Sequence, residues 1–208
     1  MRLAFTIALL LFGVAAARSA EIRQFDHRTT EELGNQLVAA SKRADRGATT
    51  PEKKRAKQTA VAALEGKLFD ELRYQYVVLD DPAGSGFLVY ALGKAKRKGD
   101  VITGGHFRVP LSADGSVAGQ IDLLSQLIHH SADSGHKIVA IAATQSAGKL
   151  PAETWIYSSD LYELPMYVAV MADSSSWAVA NGVIVRTNDK EPKKHLDILN
   201  KRTPNVYD

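Results

Sequence analysis

YQYVVLDDPAGSGFLVYALGK, Tyr74 to Lys94, is the stretch on which the fold turns. Its β-branched and aromatic residues recur with period two, so it reads as two strands, 74–80 and 86–94. The turn chemistry of Asp81-Pro82-Ala83-Gly84 joins them. A connection this short returns the second strand antiparallel, because a parallel return needs a crossover of a dozen or more residues.

The same punctuation continues towards the C-terminus. Arg97-Lys98-Gly99-Asp100, Ala113-Asp114-Gly115-Ser116 and Asn181-Gly182 mark turns. Between and beyond them the pattern predicts strands at 101–112, 117–123, 137–143, 153–158, 165–172, 176–180 and 183–187. Asn181-Gly182 demands a tight hairpin, since both residues accept the positive φ of a two-residue turn. Ile121 to His130 fits a strand or a helix, because Leu123, Leu124, Leu127 and Ile128 also recur at helical spacing.

Towards the N-terminus the period lengthens. Thr29-Thr30-Glu31-Glu32 fits a capping box, and Leu33, Leu37, Ala40 and Ala44 form one stripe with Gly47 as a left-handed stop. Thr50-Pro51-Glu52 places a cap, a first-turn proline and an acid in the order that opens a second helix. That helix is expected to run to about Leu72 through Ala56, Ala60, Ala63 or Leu64, and Leu68. The expected fold class is α+β, with an N-terminal αα-hairpin (29–73) packed on a curved, mainly antiparallel β-sheet (74–187). Both lie in a single domain spanning 21–187, followed by a charged tail at 188–208.

The chain opens on MRLAFTIALLLFGVAAA. Arg2 precedes an apolar run from Leu3 to Ala17, too short for the ~20 residues a membrane span requires, so it reads as a secretory signal. Ala15 and Ala17 supply the small side chains for a cut after residue 17, and the cut could fall as late as 20. The expected location is periplasmic or secreted, without a transmembrane anchor. No cysteine is present among the 208 residues, so neither a lipid-modified cysteine nor a disulfide is available. About 190 residues then suffice for one conventional core. The formal charge of +3 falls once Arg2, and Arg18 where the cut lies after it, is removed with the signal, which leaves no global field for nucleic acid.

Three segments carry a resemblance: GGHFRVPLSADGS (Gly104–Ser116), ETWIYSSDLYELPMYVAV (Glu153–Val170) and WAVANGVIV (Trp177–Val185). They are similar to small exported hypothetical proteins of Gram-negative bacteria. The resemblance covers about half of the chain, and implies an envelope location and an α+β fold but no activity.

Four constellations are candidates for chemistry or binding. His129, Asp133 and His136 would share one face of a continued helix and could ligate zinc, the basis of a metal-assisted hydrolase, although Ser134-Gly135 would interrupt that helix; a solvated loop is the alternative. His106 and Arg108 alternate with Phe107 and Val109, which places them on the polar face of a strand, solvent-facing or recognising an anion. Lys42, Arg43, Arg46, Lys53, Lys54, Arg55 and Lys57 form a basic run around the helical turn, against Asp45 and Glu52, that could meet an anionic envelope surface or an acidic partner. Trp155 and Tyr157 share a strand face and could stack against a ligand, or pack in the core.

Nucleophile and phosphate motifs fail. Gly84-Ser85-Gly86 sits in a turn between antiparallel strands, whereas a hydrolase elbow leads from strand to helix. In ATQSAGKL, Ala143 replaces the first glycine of a phosphate loop and Leu150 its magnesium-binding hydroxyl. With no catalytic residue or resident cofactor indicated, the expected role is an exported, non-enzymatic interaction or binding module. The metal-assisted hydrolase is the competing class, and an apolar-ligand carrier in the concave face of the sheet is a third.

Overall fold

The computed structural model describes residues 22–130 and 138–187. The signal and the charged tail expected at 1–17 and 188–208 lie outside them. The fold is α+β with mainly antiparallel strands, as expected. β1 (Leu72–Asp80) and β2 (Phe87–Ala95) form the hairpin read from the sequence, with Val78 opposite Val89. β4 (Phe107–Leu111) and the short β5 (Asp122–Leu123) extend it into a sheet of order β1-β2-β4-β5. The long strand expected at 101–112 is broken, because Gly104 and Gly105 take positive φ (+80° and +67°). A Cβ on Gly104 would lie 1.8 Å from the Gln126 carbonyl oxygen, so only glycine fits this approach. The first half becomes β3 (Val101–Thr103), which pairs instead with β6 (Ile128–His130), settling the ambiguous stretch at 128–130 as strand.

The second sheet has the order β10-β9-β8-β7. β9 (Ser175–Ala180) and β10 (Val183–Arg186) meet at Asn181 and Gly182, whose φ angles of 54° and 80° are those the tight hairpin requires. The segment expected as a strand at 153–158 is instead helix α3 (Thr154–Tyr162). It connects β7 (Ile141–Gln145) to β8 (Met166–Val170), which run parallel, and so supplies the crossover a parallel pair needs.

The front helices start where caps allow. α1 (His27–Ser41) begins two residues before the expected capping box, because the Asp26 carboxylate accepts from the Thr29 amide at 2.8 Å. α2 (Pro51–Ala63) opens as expected on Thr50, Pro51 and Glu52 but ends well before Leu72. The helices do not pack together as a hairpin. The alternating faces of β1 and β2 divide the core: Val77, Leu79, Leu88 and Tyr90 pack with Leu33 and Leu37 of α1, while Val78, Val89 and Ala91 pack with Ala56 and Ala60 of α2. The first sheet therefore lies between α2 and α1. α1 and α3 together fill the space between that sheet and the second one. Among the described residues, no helix is long and apolar enough to cross a membrane.

The α1–α3 crossing is close because Gly34 has no side chain. A Cβ there would lie 2.7 Å from Ile156 Cβ and 2.9 Å from the Glu153 carbonyl oxygen. Gly34→Ala should gain about 1 kcal/mol of helix propensity yet lose more to overpacking, for a net loss of about 1–2 kcal/mol. Urea denaturation midpoints of the two proteins check this; a stabilised variant would mean that the helices can part freely.

Candidate functional site

Two polar groups, Arg108 on β4 and His106 immediately before it, are buried rather than solvent-facing, correcting the expectation for both. Alternation does place them on one face, but α1, α3 and the second sheet cover that face. Arg108 is 1% exposed and donates from Nη1 to Glu153 (2.7 Å) and from Nη2 to Asp122 (2.8 Å). Its Nη2 also donates to the Arg23 carbonyl oxygen. Tyr90 donates its hydroxyl to the same Glu153 oxygen at 2.7 Å. Burial would pull the Arg108 pKa down, but Glu153, Tyr90 and Asp122 hold it above its ordinary value. Arg23 grips Asp81 with both guanidinium nitrogens, at 2.6 and 2.7 Å, and the Phe25 ring lies about equally near Arg23 and Arg108 (5.1 and 5.0 Å). The segment 22–26 is thus strapped over the buried ion cluster.

His106, also 1% exposed, accepts the Gly93 N–H at Nδ1 (3.0 Å). Nδ1 must therefore be unprotonated, so Nε2 carries the proton and donates it to Ser158 Oγ, 3.0 Å away. A general base would need the opposite tautomer, so this serine–histidine pair is built to hold α3 against β4 and not to activate a nucleophile.

Of the zinc candidates, His129 is the one that falls among the described residues, and it is not on a helix. His129 lies on β6, with Nε2 2.8 Å from Asp100, while Asp133 and His136 fall outside the described residues. Among the described residues, no group of three or more histidine, aspartate or glutamate side chains could hold a metal. Trp155 and Tyr157 sit on α3, not on a strand, and are 1% and 2% exposed. Trp155 is tied through Nε1 to Gln145 at 2.8 Å, so the pair offers no open stacking platform.

Much of the basic run is answered within the protein. Lys42 pairs with Asp160 (2.9 Å), Arg43 with Asp45 (3.3 Å) and Lys53 with Asp80 (2.8 Å), while Arg55 donates to the Asp114 carbonyl oxygen (3.4 Å). Lys54 and Lys57 border a groove of about 1060 Å³ along α2 whose walls include Val61, Leu68 and Tyr76. It does not present one continuous cationic face.

The remaining member, Arg46, belongs to a different place. At the corner where α1 ends beside α3, Lys42, Lys94, Tyr157, Asp160 and Glu163 border a cleft of about 560 Å³. Tyr157 is its deepest side chain, and its hydroxyl is buried without a hydrogen-bond partner. Burial, reinforced by Tyr162 and Asp160, pushes the Tyr157 pKa up, so the hydroxyl keeps its proton as a donor. Arg46 is close enough to act electrostatically on both Tyr157 and Lys94, and its Nε is also buried and unpartnered. Gln75, on the same face of the hairpin as Lys94, has a third such donor in Nε2.

Lys94 and Gln75 were not singled out by sequence reasoning. The signal was available for Lys94: Leu88, Tyr90, Leu92 and Lys94 share one face of β2, and a lysine ending a wholly apolar stripe is unusual there. Among known proteins, no family model, curated protein or solved structure matches the chain. Its chemistry therefore rests on its own geometry.

Proposed function

We propose that this chain is an exported, non-enzymatic binding module of the cell envelope, and that its ligand site is the cleft at the α1–α3 corner. The apolar leader from Leu3 to Ala17 and the resemblance of three segments to exported proteins support the location. One observation carries the binding role: the Tyr157 hydroxyl is buried beside a cleft of small-molecule size and has no protein partner. Leaving a buried hydroxyl unsatisfied costs about 1–3 kcal/mol, a cost that a ligand accepting from it would remove. The cleft volume lies within the range of sites that enclose small molecules. The groove along α2 is larger but more open and more apolar, and none of its lining side chains has a buried polar atom left without a partner.

The test starts from the full chain expressed in a Gram-negative host. The periplasmic fraction should contain protein lacking residues 1–17, or up to 20. That protein, labelled with ¹⁵N, is then titrated with glutamate, glycerol 3-phosphate, glucose and spermidine. At least one compound should shift the amides of residues 41–46, 94 and 157–163 saturably. Retention of the leader inside the cell would remove the envelope assignment; the absence of any shift at about 10 mM, weaker than ordinary specific binding, would remove the ligand site.

A further inference from the structure

We infer that the cleft takes an oxyanion, a carboxylate or phosphate group carried by a small molecule, held by Lys94 in the positive field of Arg46, with the Tyr157 hydroxyl donating to it. This rests on the cleft being a ligand site, as proposed above, and adds the chemistry of the ligand.

Lys94 projects from the end of β2, and Arg46 from the turn after α1, where its backbone takes a left-handed φ of 48°. That conformation is costly for a residue other than glycine, asparagine or aspartate. Its carbonyl is fixed by the Val78 N–H at 2.9 Å, which holds the turn against β1. Lys94 lines the cleft, and burial together with the Arg46 charge pulls its pKa down. Among the described residues, neither Lys94 nor Arg46 has a carboxylate within 4 Å. The nearby acid Asp160 is matched by Lys42.

Ammonium and guanidinium groups have donors and no acceptor capacity, so whatever completes this site must bring acceptor oxygens. Arg46 Nε and the Tyr157 hydroxyl are both buried donors without partners, and the positive charge beside them selects an anion over a neutral carbonyl compound. Asp160 and Glu163 border the same cleft, and Glu163 is exposed. Their negative charge disfavours an anionic bilayer or an extended polyanion, which leaves a compact anion small enough to enter between them.

The experiment is a calorimetric and NMR titration of the processed protein with sodium phosphate and with sodium succinate, in a constant chloride background. Vesicles containing phosphatidylglycerol form a separate arm. The variants are Lys94→Met, Arg46→Asn, which suits a left-handed backbone, and Tyr157→Phe. One or both soluble anions should bind 1:1, with resonances of Arg46, Lys94 and Tyr157 shifting together. Lys94→Met should weaken binding by about tenfold or more, the loss expected for a charge-assisted contact, and Arg46→Asn should weaken it by less, as the loss of a field and not of a contact. Tyr157→Phe should weaken it several-fold while the free protein melts no lower than the parent, because the deleted hydroxyl had no partner to lose.

Equal affinity in Lys94→Met, or no binding of either anion at about 20 mM, overturns the oxyanion inference. Binding to the vesicles alone also overturns it, in favour of a membrane surface. If glucose or spermidine perturbs Tyr157 while both anions do not, the oxyanion is wrong and the binding module stands. If nothing perturbs the cleft, both fall.

Discussion

Arg108→Met should destabilise the protein by about 3–5 kcal/mol, the cost of removing one partner from a buried ion cluster. Methionine fills the space of the aliphatic stem, so the loss comes chiefly from the two carboxylates left behind. Asp122 and Glu153 are both buried, and each receives a guanidinium N–H at 2.7–2.8 Å that nothing else would supply. Tyr90 would still donate to Glu153, but Asp122, whose pKa burial already pushes up against the pull of Arg108, would be stranded. The strap formed by Arg23 and Phe25 would also lose the guanidinium against which it lies.

The pH dependence identifies the cause. In the variant, Asp122, already raised by burial and now without the opposing pull of Arg108, should have a folded-state pKa above its unfolded one, so the folded state binds more protons between the two. Unfolding free energy then rises as pH falls through the raised value, and the deficit relative to the parent should shrink on acidification. Replacing Asp122 with Asn and Glu153 with Gln in the same chain should recover much of the loss, since neutral amides cost less to bury than unpaired charges. Urea denaturation at pH 7.5 and pH 5 measures both effects. A deficit that stays constant with pH and is not relieved by the amides would mean that lost packing, and not stranded charge, dominates.

How much of this could be read from the sequence depended on whether each element had a solvent side. Tyr74 to Lys94 alternates cleanly, and its hairpin stands as read. Thr50-Pro51-Glu52 and Asn181-Gly182 are local devices that work without reference to the rest of the chain, and they too stand. α3 was missed because Thr154 to Ser159 are all buried, which erases the polar face that gives a helix its period. Its Trp155, Ile156 and Tyr157 then read as strand residues by propensity alone. The same covering of both sheet faces hid His106 and Arg108 inside, and placed α1 and α2 on opposite sides of a sheet although their stripes look alike. The cleft was half legible: Lys42, Arg46 and Tyr157 were all marked, but for separate roles on separate elements. Bringing them together required the α1–α3 crossing, which depends on the absence of a side chain at Gly34.

The parent protein should lose about 3 kcal/mol of stability between pH 6.5 and pH 4 through His106 alone. Burial lowers its pKa from 6.5 to about 4. Across that interval the unfolded chain takes up a proton that the folded one refuses, so unfolding free energy falls as pH falls; a shift of this size, at ~1.4 kcal/mol per unit, sets the magnitude. The structural reason is specific. Nδ1 is already occupied as the acceptor of the Gly93 N–H, so a second proton there would set two donors against each other. The ring also meets the Tyr157 ring edge to face at 5.8 Å, so forced protonation would loosen the same side chain that lines the cleft. His106→Asn keeps a short acceptor for Gly93 but cannot take up the proton. It should start less stable at pH 7, for want of the ring's packing, yet show a flatter stability profile from pH 6.5 to pH 4. Because every other titrating group is common to both proteins, the difference between their profiles isolates His106. Parallel profiles would show that the imidazole titrates as freely in the fold as out of it, and that Gly93 is not bound to Nδ1.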